Sequence, residues 1–278
     1  MVKDFLKVFI LSLLLFIGCN IDFFGFVISS DLDDRLAEKN SLKFLVDKGW
    51  TTLSLPDEYS FIVVTDTHIE DGRTWGLEKL SAVINSHNTT AGNTQIEFVV
   101  ITGDITQYGS EQDIKKFIEI ADSLEGIPCY PVIGNHDVYF DNWHNWRDNI
   151  GSTRYRIDGG KATLFILDSA NAFFGKEQLD WLERELKKYS GNVFVFTHYP
   201  PFVEGPVTMS MTDLREQARI VSMLKDKCKI MFTGHSHIRY FYETGNVRYV
   251  TIEDFRSNST YCIVTVKGSS ITYELKKL

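Results

Sequence analysis

The sequence predicts an α/β domain, and three observations carry that reading. Short apolar runs rich in Val, Ile and Phe recur along the chain, charged helical segments stand between them, and blocks of Gly, His and Asp close most of the runs. The runs are Phe61 to Thr65, Phe98 to Thr102, Cys129 to Ile133, Leu164 to Leu167, Val193 to Thr197 and Ile230 to Thr233. Runs this short and this continuously apolar suit strands buried on both faces. The clearest helix is Lys176 to Lys188, where Leu179, Leu182 and Leu186 recur on one face among charges. The pair Gly159-Gly160, between Tyr155-Arg156-Ile157 and Ala162 to Leu167, predicts a hairpin. After His237 the helical alternation stops. Tyr240 to Tyr242, Val247 to Ile252, Tyr261 to Val266 and Ile271 to Tyr273 are expected as an antiparallel finish.

With 278 residues, 44% of them apolar, the chain can bury one large core. Its net charge of −8 argues against nonspecific nucleic-acid binding, which depends on Lys and Arg neutralising phosphates. A phosphate substrate stays open, because bound divalent cations invert the local field whatever the overall charge. Residues 1–19 have the features of a signal segment: Lys3 and Lys7 precede the apolar stretch Val8 to Ile17, too short for a full membrane span. Phe16-Ile17-Gly18-Cys19 resembles a bacterial lipobox, with Phe16 where Leu is usual. The competing reading is an uncleaved anchor from Phe5 to about Ile28, against which Asn20 and Asp22 count. Both export the protein and tether it to a membrane through an N-terminal lipid or anchor. Residues 20–58 are expected as a tether and N-terminal extension, Asp31 to Asn40 being a solvated stretch or short helix, and 59–278 as the α/β domain. Cys129, Cys228 and Cys262 lack metal or disulfide spacing and are expected as buried thiols, with a Cys228 to Cys262 bridge left open.

Five of the seven histidines lie in blocks that also hold the best-placed carboxylates: Asp66-Thr67-His68, Gly103-Asp104, Gly134-Asn135-His136-Asp137, Thr197-His198 and Gly234-His235-Ser236-His237. Asp66, Asp104, Asn135, His198 and His235 each follow an apolar run, at the expected carboxyl end of a strand. Ligands of α/β sheets bind outside those ends. Imidazole and carboxylate donors converging from several loops are what a catalytic pair of divalent cations needs, with one carboxylate shared between them.

Asp-x-His, Gly-Asp-x4-Gly through Gly109, Gly-Asn-His-Asp, a lone His and Gly-His-x-His, in that order over Phe61 to Phe255, resemble the calcineurin-like metallophosphoesterase superfamily. The resemblance implies a four-layer α/β/β/α sandwich of two mixed sheets and makes 59–278 a metallophosphoesterase domain. It implies two divalent metal ions (manganese, iron or zinc), one held by Asp66, His68 and His237, the other by Asn135, His198 and His235, with Asp104 bridging. His136 then approaches the substrate as acid or charge stabiliser, with Asp137 holding its imidazole. The implied nucleophile is a hydroxide between the metals, attacking phosphorus in line with the leaving alkoxide.

The same blocks serve many phosphoesters. Tyr108 and Asp137 stand where protein phosphatases carry Arg and Glu, and Thr106 and Gln107 stand where purple acid phosphatases carry a ligating Tyr. The remaining resemblance is to a bacterial phosphodiesterase-like group. A phosphodiesterase or nucleotide hydrolase acting on a small phosphoester is therefore expected, the alternatives being a phosphomonoesterase or a noncatalytic surface-binding lipoprotein. Two insertions are candidates for selectivity. In Tyr139 to Arg147, the aromatics and His144 either roof the pocket or turn Trp143 and Trp146 into the core. Tyr199 to Met211 is either a lid or a surface loop. Arg73 and Arg239 are candidate phosphate grips or solvated charges, and His87 carries no expectation.

Overall fold

Two mixed sheets form in the computed structural model, which describes residues 30–37, 42–189 and 191–278. The first contains β1 (Glu58–Val64), β2 (Ile96–Thr102) and β3 (Cys129–Val132), mutually parallel, together with the late strands β10 (Thr260–Lys267) and β11 (Ser270–Lys277). Its order is β11-β10-β1-β2-β3, with β10 antiparallel to both neighbours. The second contains β4 (Tyr155–Asp158), β5 (Ala162–Ile166), β6 (Asn192–Phe196), β7 (Cys228–Thr233), β8 (Tyr240–Thr244) and β9 (Val247–Thr251). Its order is β4-β5-β6-β7-β9-β8, with β5, β6, β7 and β9 parallel.

The sheets pack face to face through aromatic side chains. Phe61 stacks on Phe98 within the first sheet at 4.6 Å and meets Phe194 of the second edge-on at 5.1 Å. Alternation along each strand sends the intervening residues outward. Phe194 and Phe196 join the core between the sheets, whereas Val193 and Val195 join a second core under α6 (Lys176–Leu186) and α7 (Leu214–Leu224). On the other side, Phe44 of α2 (Lys43–Lys48), Ile84 of α3 (Leu80–Thr89), Phe117 of α4 (Glu111–Asp122) and Trp146 of α5 (Trp143–Asn149) cover the first sheet. The expected four layers are thus present. Leu179, Leu182 and Leu186 form the buried stripe of α6, and β4 and β5 pair as the Gly159-Gly160 hairpin.

The antiparallel finish needs correction. The pairs β8/β9 and β10/β11 are antiparallel, but β9 lies parallel to β7, and β10 crosses to the first sheet beside β1. A strand's apolar pattern specifies which faces are buried and leaves its partner open. The expected tether also changes character. The helix α1 (Leu32–Ala37) buries Leu32 and Arg35, and Phe44, Leu45 and Leu55 enter the core, so this stretch belongs to the domain. Arg35 pairs bidentately with Asp168 at 2.8 and 2.9 Å and also donates to Asn171 and Ser30. The signal segment, with Cys19, lies outside the described residues, among which no helix is long and apolar enough to cross a membrane. Cys129, Cys228 and Cys262 are buried free thiols, and burial pushes Cys129 and Cys228 up to about 12.

Candidate metal centre

The carboxyl ends of β1, β2 and β3 in one sheet and of β6 and β7 in the other point at one place. Asp66 and His68 leave the end of β1, Asp104 that of β2, Asn135 that of β3, His198 that of β6, and His235 and His237 that of β7. Most of these residues leave their strands on sharp turns. Asp66, His68, Asp104, His235 and His237 all have positive φ, between 43° and 64°, although none is glycine. A side chain is sterically strained in that region, and such strain gathers where function demands it. Glycine is required where loops close on one another. A Cβ on Gly103, which has φ +92°, would overlap the His198 imidazole, and one on Gly134 would overlap Asp104.

Donor atoms form compact groups here: Asp66, His68 and His237; Asp104, His198 and His235; and His68, Asp104 and His136. The Oδ2 of Asp104 lies 3.2 Å from His198 Nε2 and 3.8 Å from His68 Nε2, between the first two groups. Its other oxygen accepts the His136 backbone N–H at 2.9 Å, which fixes the carboxylate plane. On the first side, His237 Nε2 lies 3.1 Å from Asp66 Oδ1 and 3.5 Å from His68 Nε2. On the second, Asn135 Oδ1 lies 3.1 Å from His198 Nε2, while the Asn135 amide donates to the Tyr139 hydroxyl at 2.7 Å, turning its oxygen inward.

Backbone carbonyls orient the rings. His198 Nδ1 meets Thr102 O, His136 Nδ1 meets Gln107 O and His235 Nε2 meets Thr208 O, each at 2.9 Å. A ring nitrogen held by a carbonyl fixes the orientation of the ring, and so makes Nε2 of His198 and Nδ1 of His235 the nitrogens that would face a bound cation. Tyr199 stacks on His235 at 3.7 Å and holds its ring plane.

The electrostatics favour cations. Asp66 and Asp104 are buried, yet both stay below the usual carboxylate range: burial opposes this, and the nearby His237 and His198 respectively outweigh it. Burial lowers His68 and His235 to about 4, so both are neutral at pH 7 and able to ligate. For His198 burial acts the same way but is overcome by Asp104 and Asp66, which push it up to about 9. Two buried anions thus draw positive charge to their midpoint. The donor set of imidazole nitrogens, carboxylates and one amide oxygen, without thiolate, fits manganese, iron or zinc.

His136 also faces the cavity beside these donors. Its Nε2 is 3.9 Å from Asp104 Oδ2, and its ring borders a cavity of about 310 Å³ lined also by Asp104, Thr208, Met209, His235, Ser236 and His237. The expected role of Asp137 is corrected: the Gln107 carbonyl, not Asp137, holds His136 Nδ1. Asp137 is buried, accepts the N–H groups of Ile105, Thr106 and Gly134 and the Thr106 hydroxyl, and so clamps the Asp104 turn to the Asn135 turn. Burial, with the Asp104 charge, pushes it up to about 7 despite those donors.

The peripheral candidates sort unevenly. Trp146 is buried and Trp143 packs against the core, whereas His144 faces solvent and bonds Asp141 O. Arg73 pairs with Glu70 and Arg239 with Glu253, both at the surface. His87 pins a turn through Thr94 O. The 199–211 loop contributes Thr208 and Met209 to the cavity wall. Two supporting residues go beyond the expectations. Tyr139, grouped by sequence with the roofing aromatics, orients Asn135, and its place four residues after that residue is the only local sign of the role. Arg256 carries no such sign. It donates to Gln107 and Glu70 and lies over Trp75, bracing the loop that holds His136.

Known proteins resemble this chain in sequence and in fold. A Fibrobacter succinogenes protein named as a probable cyclic nucleotide phosphodiesterase is 28% identical over 184 residues, covering 63% of this chain and 71% of that protein. An Arcobacter nitrofigilis protein named as a probable glycerophosphodiester phosphodiesterase is 26% identical over 195 residues, covering 63% and 71%. The solved structure of a dimetal phosphatase from Danio rerio shares the fold, with a TM-score of 0.63 and 12% identity over 79% of this chain and 96% of that one. Because the model of the calcineurin-like phosphoesterase family matches residues 59–239, the chain belongs to that family and is a metal-dependent phosphoester hydrolase.

Proposed function

We propose that the chain is a phosphodiesterase working with two divalent cations, one on Asp66, His68 and His237 and one on Asn135, His198 and His235. The observation that carries this is the position of Asp104 Oδ2 between the two donor groups, where a shared ligand would stand. When bound, such a pair supplies a hydroxide nucleophile at neutral pH and offsets charge on the phosphoryl oxygens. The protein's part is positional. Thr102 O, Thr208 O and Tyr139 orient three of the donors, and Asp137 fixes the spacing between the Asp104 and Asn135 turns. His136, held at Nδ1 by Gln107 O, presents Nε2 to the cavity and protonates the leaving oxygen. Preference for diesters is supported by the two relatives named as phosphodiesterases.

Asp104→Asn tests the shared ligand. Turnover should fall to below about 1% of wild type, a larger loss than the 10–100-fold typical of an outer-shell partner, and both metals should bind more weakly. The assay compares a chromogenic phosphodiester with its monoester, with manganese, iron or zinc supplied and bound metal measured on the same sample. Full turnover with two metals per chain in the variant would refute the assignment, and faster monoester hydrolysis by wild type would refute the diester preference.

A further inference from the structure

The turn that follows the Gly-Asn-His-Asp block is built in an unexpected way. Asn142 N–H closes it on Tyr139 O at 3.1 Å, and both central residues, Phe140 and Asp141, have positive φ, 54° and 64°. Those positions ordinarily take Asn, Asp or Gly, as with Asp141, because a large side chain is strained there. Here the strained position carries a phenyl ring that is 60% exposed. The ring covers no core. Its ring contacts are with aromatic neighbours: Tyr139 at 5.8 Å and Tyr108, itself 42% exposed, at 6.1 Å.

These rings are continuous with the metal centre. Tyr139 lies 4.4 Å from the His136 ring, and His136 lines the cavity with Asp104. Tyr108 is held to the same turn, since Asn142 donates to its carbonyl at 2.7 Å and Asn145 donates to the next one, Gly109, at 3.0 Å. The result is a fixed row, His136, Tyr139, Phe140, Tyr108, that starts beside the metal centre and ends at two solvent-facing rings. We propose that Phe140 and Tyr108 form a stacking platform for the base of a nucleotide phosphodiester, and so determine its selectivity over diesters of aliphatic alcohols. This rests on the phosphodiesterase reading above. A planar π ligand suits adjacent exposed rings, and the base lies one sugar away from the oxygen that leaves beside His136. The neighbouring charge at the turn is the carboxylate of Asp141, which suits the N–H groups of a base and disfavours a second phosphate.

The test compares kcat/KM for a cyclic nucleotide and for a glycerophosphodiester, using manganese-loaded wild type, Phe140→Ala, Phe140→Trp and Tyr108→Ala. The control is another exposed ring, Phe241 of β8, which packs beside Tyr273 and is changed to Ala. Base-on-aromatic stacking is worth about tenfold or more in such substitutions. Phe140→Ala should lower the nucleotide-to-glycerol ratio by about that factor, chiefly through KM; Tyr108→Ala should lower it less, Phe140→Trp should keep it, and Phe241→Ala should leave it unchanged. An unchanged ratio in Phe140→Ala overturns the platform while leaving the phosphodiesterase reading intact. If wild type hydrolyses neither diester, that reading fails, and calorimetry then decides the platform separately. Adenosine monophosphate must bind wild type more tightly than inorganic phosphate does, with the difference lost in Phe140→Ala. Equal binding overturns it.

Discussion

Among the five clustered histidines, His136 is the one that the proposed function leaves outside the two donor sets: its Nδ1 is held by Gln107 O, and it lines the cavity beside His235 and His237. His136→Ala should therefore leave metal content near that of wild type while slowing turnover about 10²-fold or more, the usual range for a lost general acid. Metal analysis beside steady-state kinetics separates the roles, since a parallel loss of metal would make it a ligand. The candidate donors are legible in the sequence because few residue types bind a hard or borderline cation. The groups that orient them are not. Thr102, Gln107 and Thr208 act through backbone carbonyls, which every residue carries. Asp137 departs from expectation for a related reason: adjacency in sequence implies a bond to His136, but the turn aims its carboxylate at Ile105, Thr106 and Gly134.

At the scale of elements, the N-terminal helix α1 departs most from expectation. Of the two expectations for Asp31 to Asn40, the short helix forms, but the solvation that its charges suggest does not hold: Arg35 is 1% exposed and its guanidinium is paired with Asp168. The next residue, Ser169, bonds Thr197 and the Tyr199 N–H, on either side of His198. Arg35 thus anchors the arm against the loop that backs the second donor group. Arg35→Ala leaves Asp168 buried without its charge partner and should cost about 3–5 kcal/mol in urea unfolding. Arg35→Met combined with Asp168→Asn removes the charge and keeps an acceptor for the Ala170 N–H, so more than half of that loss should return. By contrast, a single-variant cost under about 1 kcal/mol, the worth of an exposed pair, would make the arm dispensable. Strand positions are legible from apolar runs, and α6 from its leucine stripe. The placement of β9 and β10 in different sheets is not, because pairing depends on which edges remain open after the earlier strands have assembled.

At the scale of the molecule, the centre joins the two sheets. Asp66, Asp104 and Asn135 come from the first, and His198, His235 and His237 from the second. A cation held across that seam would bind the folded chain and have no comparable site in the unfolded one. At about 1,000 times its Kd, bound metal contributes about 4 kcal/mol of stability. Chelation should lower the melting temperature by roughly 10 °C, restored by added metal and varying with its concentration. A melting temperature unaffected by chelator, in protein shown to have lost its metal, would place metal binding outside the folding linkage. The aromatic packing of Phe61, Phe98 and Phe194 holds the sheets together independently of metal, so the depleted protein should remain folded at 25 °C.

Reaction class and the candidate donor residues are written in the chain itself, because metal chemistry admits few residue types and strand ends place them predictably. Folding in three dimensions decides what no local pattern encodes: the carbonyls that aim each ring, the burial of Arg35, the clamp made by Asp137, and the exposure of Phe140 beside the site. Each depends on contacts between residues far apart in the chain, and an apolar or charged side chain carries no local sign of which partner it will meet.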